Sequence, residues 1–233
     1  MRPRVRDALL LTLTAAAGSV DAVSYLGLGR VFTANMTGNL VLLGIAIGQG
    51  QLPGSVRAVI AFGGFAIGFL LGVRLTQGFP SPFGKGQGAG AATPLWPRSA
   101  TVALIAELGL LLGMLAGWEI AGDQPSAVTL DILITLSAGA MGMQSAAARR
   151  LGVVGVTTTF VTGMLTRLIA ELATGGPDWS HWTLWVATLA SLLIGAAAGA
   201  AVFILWRAVA PLVAALLVGS VLVAATGLTR RSD

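Results

Sequence analysis

The chain of 233 residues contains no cysteine, a single histidine and only 10% charged residues. The absence of cysteine excludes disulfide bonds, thiolate nucleophiles and cysteine-ligated metals. With one histidine and scattered carboxylates, the sequence predicts neither a catalytic site, nor a metal site, nor a cofactor. Soluble domains contain roughly 25% charged residues, so this shortage of charge argues against a soluble fold.

Apolar residues make up 55% of the chain, and its mean hydropathy is +0.86. A helix needs about 20 apolar residues to cross the hydrocarbon core of a bilayer. The apolar segments are continuous rather than alternating, which indicates helices and not a barrel, because lipid offers the backbone no hydrogen-bond partner. The sequence thus predicts an all-α, polytopic transmembrane helical bundle with these apolar segments: residues 8–29, 32–48, 56–75, 99–119, 127–148, 153–173, 182–206 and 209–228.

Two segments that contain a Thr-Gly pair indicate an internal duplication. The sequence TANMTGNL at residues 33–40 matches TTFVTGML at residues 158–165 at four of eight positions. Two further landmarks keep the same order when the two halves are aligned. Before the Thr-Gly segments, Asp21 aligns near Gln144; after them, a pair of glycines recurs at a shift of 127 residues. Three landmarks in order favour a repeat over coincidence. The equivalent residues are Thr33 with Thr158, Thr37 with Thr162, Gly38 with Gly163, Leu40 with Leu165, Gly68 with Gly195, and Gly72 with Gly199.

The distribution of basic residues favours six full spans. If all the apolar segments crossed the membrane, basic loops would lie on both sides, contrary to the positive-inside rule. If segments 32–48 and 153–173 are re-entrant or short half-helices, most basic residues become cytoplasmic, whereas Arg30, Arg57 and Arg207 lie outside. The two halves then have opposite orientations, so the sequence predicts two inverted repeats. Eight full spans are the alternative.

This topology also defines the predicted units of the chain. The first repeat comprises residues 1–75 and 99–121, and the second comprises residues 122–233. Residues 76–98 between them are rich in Gly and Pro, which is typical of a flexible linker. The linker and both termini are predicted to be cytoplasmic.

Candidate site residues are the ionisable and polar residues inside apolar segments. A charge at the centre of a membrane helix costs at least about 2.5 kcal/mol, so such residues are usually functional. Polar side chains at this depth are tolerated where they line a cavity; alternatively, they form hydrogen bonds between neighbouring helices. The candidate substrate- or ion-binding residues are Asp21, Thr33, Asn35, Thr37, Gly38, Asn39, Glu107, Gln144, Thr158, Thr162 and Gly163.

Glycines at intervals of four residues predict flat helix faces for close packing. We expect these faces to join helices within the chain, and the sequence leaves a homo-oligomer open. The glycines are Gly64, Gly68 and Gly72 in one segment and Gly109, Gly113 and Gly117 in another.

The run GSVDAVSYLGLGRVFTANMTGNLVLLG, residues 18–44, resembles the signature of the YoaK-like membrane proteins, a bacterial family catalogued as a domain of unknown function. Residues 142–165, GMQSAAARRLGVVGVTTTFVTGML, match the pattern more loosely. The resemblance implies a polytopic protein of the cell inner membrane and no established substrate.

Two classes of function are consistent with the sequence. The preferred prediction is a transporter or channel for a small solute, with a central site formed by Asp21 and the two Thr-Gly segments. The alternative is a membrane-embedded enzyme or an accessory subunit of a membrane complex, in which Asp21 and Glu107 would form a carboxylate pair. The expected partners are the lipid bilayer and an unidentified small molecule or ion. Nucleic acid is not an expected partner, because no basic patch interleaved with aromatic residues is present.

Overall fold

The computed structural model describes residues 3–50, 52–77, 96–122, 125–151, 161–174 and 179–229. Within these ranges every regular secondary-structure element is a helix, which confirms the predicted all-α class. A short 3₁₀ helix, Arg207–Val209, lies between the last two α-helices. The α-helices are α1 (Pro3–Gly27), α2 (Met36–Gly48), α3 (Leu52–Gln77), α4 (Arg98–Ala121), α5 (Ala127–Leu151), α6 (Val161–Thr174), α7 (Trp179–Leu205) and α8 (Leu212–Thr229).

Helix lengths divide the α-helices into six long and two short ones. Helix α2 has 13 residues and α6 has 14 described residues, so each is about 20 Å long. The hydrocarbon core is about 30 Å thick. Among the described residues, six helices are long and apolar enough to cross a membrane, namely α1, α3, α4, α5, α7 and α8. The described residues therefore contain six long apolar helices and two short ones, in agreement with the predicted six spans.

Several helix boundaries differ from the predicted segments. In segment 32–48 the helix begins only at Met36, because Asn35 caps its first turn. Helix α8 begins after Pro211, whose ring disfavours the helix interior. Residues 152–160 of segment 153–173, including Thr158, lie outside the described residues, as do residues 78–95 of the predicted linker.

Close glycine contacts join α3 to α5 and α7 to α1. A Cβ atom on Gly68 would clash with the carbonyl oxygen of Gly139, and one on Gly195 would clash with that of Ala15. The two contacts are equivalent: Gly195 lies 127 residues after Gly68, and Gly139 lies 124 residues after Ala15. The predicted repeat is therefore present in the packing of the helices.

The same contacts give the helix directions. Ala15 faces Gly195 and Ser19 faces Gly199, so α1 and α7 are parallel. By contrast, Gln144 of α5 donates a hydrogen bond to Leu13, near the start of α1. Ser137, which comes earlier in α5, bonds to Thr33, and Thr33 in turn bonds to Asp21, which comes later in α1. Helices α1 and α5, the first helices of the two repeats, are thus antiparallel. This is the arrangement of inverted repeats.

The two glycine ladders differ in their environment. Gly64, Gly68 and Gly72 pack against α5, as predicted for contacts within the chain. Gly109 and Gly113 on α4 have open space where a Cβ atom would lie, at least among the described residues. The largest buried cluster lies where α1, α4, α5 and α8 meet, and it includes Leu13, Leu104, Met141 and Val218.

Basic residues are unequally distributed between the two ends of the bundle. Arg150 donates a hydrogen bond to the carbonyl oxygen of Thr76, which places the ends of α5 and α3 together. We call this the basic end; among the described residues it carries Arg6, Arg74, Arg98, Arg149 and Arg150. At the distal end, the indole N–H of Trp118 donates to the carbonyl oxygen of Arg207. The described arginines of the distal end are Arg30, Arg57 and Arg207.

Candidate functional site

Residues 28–35 form a loop that turns back into the bundle. Helix α1 ends at Gly27 against Trp118, at the distal end. The chain then reverses through Gly29 and Arg30, whose φ angles are 89° and 63°. The loop next reaches Asp21, which lies six residues, or about 9 Å, below the end of α1.

Helix α2 returns from this depth to the end at which the loop entered. It begins at Met36, directly after the loop, and α3 starts at Leu52. The side chain of Arg57, in the second turn of α3, packs against Gly29 beside the end of α1. Segment 32–48 therefore enters and leaves at the distal end, and we call residues 28–48 the re-entrant segment.

The carboxylate of Asp21 accepts hydrogen bonds from three consecutive backbone N–H groups of this loop. Its Oδ1 atom lies 2.9 Å from the nitrogen of Thr33, 2.7 Å from that of Ala34 and 3.4 Å from that of Asn35. Successive N–H groups ahead of a helix are a natural site for a negative group, because they lack helical partners. Asp21 thus stabilises the deepest part of the re-entrant segment.

Two asparagines satisfy further polar groups of the re-entrant segment. Asn39 is fully buried; its amide donates to the carbonyl oxygen of Phe32 at 2.5 Å and accepts from the N–H of Phe32 at 2.8 Å. The Oδ1 atom of Asn35 accepts from the N–H of Gly38 at 3.1 Å and the hydroxyl of Thr37 at 2.9 Å. An irregular loop inside a membrane protein needs such partners, because lipid supplies none.

Gly38 has a packing role in the same segment. A Cβ atom there would lie 2.9 Å from the ring of Phe32 and 3.0 Å from the amide nitrogen of Asn35. The ring of Phe32 also stacks on Tyr25 of α1, with centroids 5.1 Å apart. The absence of a side chain at Gly38 thus lets the loop fold against its own helix.

Thr33 connects the loop to the second repeat. Its hydroxyl lies 2.8 Å from that of Ser137 on α5, and both residues are fully buried. This hydrogen bond joins residues 104 positions apart in the chain. It links the re-entrant segment of one repeat to the first helix of the other.

Glu107 and Gln144 lie elsewhere in the interior. Glu107 on α4 is fully buried, and neither carboxyl oxygen has a hydrogen-bond partner among the described atoms. Gln144 donates to the carbonyl oxygen of Leu13 at 3.0 Å, whereas its own oxygen is buried and unpaired within the described ranges. Since Glu107 forms no hydrogen bond there, the structure does not pair it with Asp21.

The Thr-Gly pair of the second repeat is placed differently from that of the first. Thr162 and Gly163 are exposed on α6, which packs on α7 through Met164, Leu168 and Trp185. The structure therefore brings together Asp21, Thr33, Asn35, Gly38 and Asn39, but it does not bring Thr162 or Gly163 to them.

From the sequence, two arginines of the distal end were identifiable only as indicators of topology. Arg30 and Arg57 line an open cavity of about 690 Å³ between the end of α1, the second half of α2 and the start of α3. Gln49 and Tyr25 also line this cavity. The signal in the sequence was Gly29 after the apolar run, because glycine readily adopts the positive φ that a sharp turn needs, and Gly29 has a φ of 89°.

The chain matches a family model described as "Protein of unknown function (DUF1275)" over residues 9–225. It belongs to the DUF1275 family. One relative, "UPF0700 transmembrane protein YoaK" from Bacillus subtilis (strain 168), is 36% identical over 168 residues, covering 72% of this chain and 68% of the relative. No solved structure matches.

The family assignment agrees with both the resemblance and the helices. The DUF1275 match begins at Leu9 in α1 and ends at Ala225 in α8, so it includes all or most of every long apolar helix. The YoaK-like relative is itself described as a transmembrane protein. This DUF1275 chain is therefore a multi-pass membrane protein whose environment is the lipid bilayer.

Proposed function

We propose that this protein is a transporter or channel for a small solute. The observation that carries the proposal is the re-entrant segment, which brings an irregular loop and a helix N-terminus to the depth of Asp21. Non-helical backbone at membrane depth is tolerated where it is buried in protein or lines a water-filled cavity. In transporters built from inverted repeats, broken helices of this kind form the site for substrate and coupling ions.

In this proposal the solute passes the face of the re-entrant segment. Thr37 is exposed and Asn35 is half-buried, so these two side chains are the accessible members of the loop. Asp21, Thr33, Gly38 and Asn39 hold the loop in shape behind them. From the second repeat, Gln144, Thr158, Thr162 and Gly163 would complete the path in other conformations, and Glu107 would carry a proton or cation within it.

A flux assay tests the proposal. The purified protein is reconstituted into liposomes loaded in turn with protons, alkali cations, halides, phosphate, glycerol and amino acids. We expect one of these to cross faster than in protein-free vesicles. Vesicles as tight as protein-free ones to the whole panel would overturn the transport proposal.

The variant Asp21→Asn tests the site within the same assay. It keeps an oxygen that can accept the loop N–H groups but removes the charge. We expect flux to fall while the protein stays folded. The matched control is Asp131→Asn, which makes the same change on α5, where no hydrogen bond to that side chain occurs within the described ranges. Unchanged flux in Asp21→Asn would remove the Asp21 charge from the mechanism.

The orientation of the protein in the inner membrane forms part of the proposal. We place the basic end, both termini and the linker of residues 76–98 in the cytoplasm, with residues 1–75 and 99–121 as the first repeat and 122–233 as the second. The support is the excess of arginine at the basic end. The chain has no cysteine, so a single Gln87→Cys substitution gives a unique label. A membrane-impermeant thiol reagent should label it only after lysis; labelling in intact cells would reverse the orientation.

The alternative, an enzyme that uses Asp21 and Glu107 as a carboxylate pair, has less support. A shared proton requires the two carboxyl groups to be in hydrogen-bond contact. Asp21 instead bonds to the loop, and both oxygens of Glu107 are unpaired among the described atoms. An accessory role in a membrane complex would give a protein that permits no flux when reconstituted alone.

A further inference from the structure

The open cavity at the distal end has an unusual distribution of charge. Arg30 and Arg57 both line it, together with the uncharged polar side chains of Gln49 and Tyr25. The acidic residue nearest in sequence to a residue of the cavity is Asp21, one helical turn before Tyr25. Its Oδ1 atom already accepts hydrogen bonds from N–H groups of the loop. No acidic residue lines the cavity among the described residues.

Neither cavity arginine has an anionic partner within the described ranges. The ion pair found within the described ranges joins two neighbouring residues, Arg6 and Asp7, at the basic end of the bundle. Arg207, the third distal arginine, instead lies over the rings of Trp118 and Phe203, 5.6 and 5.5 Å from their centroids. Arg30 and Arg57 are thus two positive charges that face a cavity without internal compensation.

The Arg57 side chain packs closely against the backbone of Gly29. Gly29 has a φ of 89°, and a Cβ atom on it would lie 2.5 Å from Nη1 of Arg57 and 3.0 Å from its Cδ. The side chain therefore lies against bare backbone and is half-buried. A guanidinium group held in this way presents its planar array of donors in a defined direction, which suits recognition of carboxylate or phosphate oxygens.

The start of α3 adds a second positive element to the cavity. Leu52, Pro53 and Gly54 line it, and the first turn of α3 contains no acidic residue. The N-terminus of a helix carries a partial positive charge and attracts anions. At the facing end of α2, the carbonyl oxygens of Ile45 and Ile47 are hydrogen-bonded to the N–H groups of Gln49 and Gly50. The negative end of α2 is therefore partly neutralised.

We propose that this cavity binds an anionic oxygen group, a carboxylate or a phosphate, through Arg30 and Arg57 and the N-terminal turn of α3. The inference rests on the proposed function in one respect: if the protein is a transporter or channel, its solute is an anion that enters through this cavity. The same chemistry would also hold the phosphate of an anionic lipid headgroup. Binding itself does not depend on transport.

Binding is measured on the full chain in nanodiscs of phosphatidylcholine, which has no net charge. Inorganic phosphate and succinate are titrated at constant ionic strength, and thermal unfolding is followed by tryptophan fluorescence. We expect a saturable rise in Tm with one or both anions. Arg57→Gln and Arg30→Gln should each weaken the apparent affinity about tenfold or more, because each removes a charge-assisted donor.

Two variants separate a specific site from general charge effects. Arg207→Gln removes the same charge at the same end of the bundle but outside the cavity, so binding should stay within about twofold of the original protein. Arg57→Lys keeps the charge without the planar fork, and its affinity should fall between those of Arg57→Gln and the original protein. The Tm without anion shows whether each variant is folded.

A lipid arm distinguishes the two sources of the anion. If the occupant is a headgroup, replacing part of the phosphatidylcholine with phosphatidylglycerol raises Tm without added phosphate, and Arg57→Gln abolishes the rise. Either source supports the anion site. The proposal is overturned if phosphate, succinate and phosphatidylglycerol all leave Tm unchanged, or if Arg57→Gln and Arg207→Gln respond alike.

Failure of this site and failure of the proposed function give different results. Anion binding in a protein that permits no flux would leave the site in place and remove the transport proposal. Flux of a cation or a neutral solute without anion binding would do the reverse.

Discussion

Removal of the Asp21 carboxylate should destabilise the protein through the re-entrant segment. In Asp21→Ala the N–H groups of Thr33 and Ala34, now 2.9 and 2.7 Å from Oδ1, lose their acceptor inside the bundle. The third contact, from Asn35 at 3.4 Å, is weak and contributes little. An orphaned buried N–H costs about 1 to 3 kcal/mol, so the free energy of unfolding should fall by about 2 to 6 kcal/mol.

The variant Asp21→Asn provides an internal scale for this loss. An amide oxygen still accepts from Thr33 and Ala34, but hydrogen bonds to a charged group are roughly twice as strong as neutral ones. We therefore expect Asp21→Asn to lose about half as much stability as Asp21→Ala. Asp131→Ala, a carboxylate substitution outside the loop, should change the free energy of unfolding by less than about 0.5 kcal/mol.

The assay is an unfolding titration in mixed micelles, in which dodecyl sulfate replaces a mild detergent and tryptophan fluorescence reports the folded fraction. The reasoning predicts the order Asp21→Ala, then Asp21→Asn, then Asp131→Ala, from the most to the least destabilised. Equal stability of Asp21→Ala and Asp131→Ala would refute the view that this carboxylate holds the loop.

Three further substitutions test the packing by the same titration. Gly68→Ala should cost about 1 to 3 kcal/mol, since its Cβ would clash with the backbone of α5, whereas Gly113→Ala, which has open space in the described structure, should be neutral or stabilising; equal effects would contradict the helix contact. A double-mutant cycle of Thr33→Val and Ser137→Ala should show a coupling energy of about 0.5 to 1.5 kcal/mol, because the two hydroxyl oxygens lie 2.8 Å apart. Additive losses of stability would contradict this hydrogen bond. Glu107→Met should raise the free energy of unfolding by about 1 to 3 kcal/mol, because it replaces a buried carboxyl group that is unpaired among the described atoms. A loss of stability would mean that the carboxyl group has a partner.

Much of the membrane architecture was predictable because it depends on length and composition. Long apolar runs with few charges predict spans, and the positive-inside rule favours six of them over eight. The shift of 127 residues that relates Gly68 to Gly195 was also detectable in the sequence. Each of these glycines lies at a close contact between helices, where a side chain would clash, so both repeats have glycine at the equivalent position.

Helix boundaries were less predictable. Segment 32–48 is apolar enough to be taken as one helix, but its first four residues belong to the loop. The backbone at Thr33 and Ala34 can adopt this loop because Asp21, twelve or more residues earlier, accepts hydrogen bonds from their N–H groups. Periodicity within a segment cannot report such a partner.

The sequence by itself determined the class of the protein and favoured six long spans and an internal duplication, because these follow from hydrophobic length, charge and regular spacing. Only the tertiary structure decided what the polar residues do. Asp21, Asn35 and Asn39 are engaged with the backbone of the re-entrant segment, while Arg30 and Arg57 face an open cavity. The physical reason is that a buried polar group must find a partner, and which partner it meets depends on how distant parts of the chain pack together.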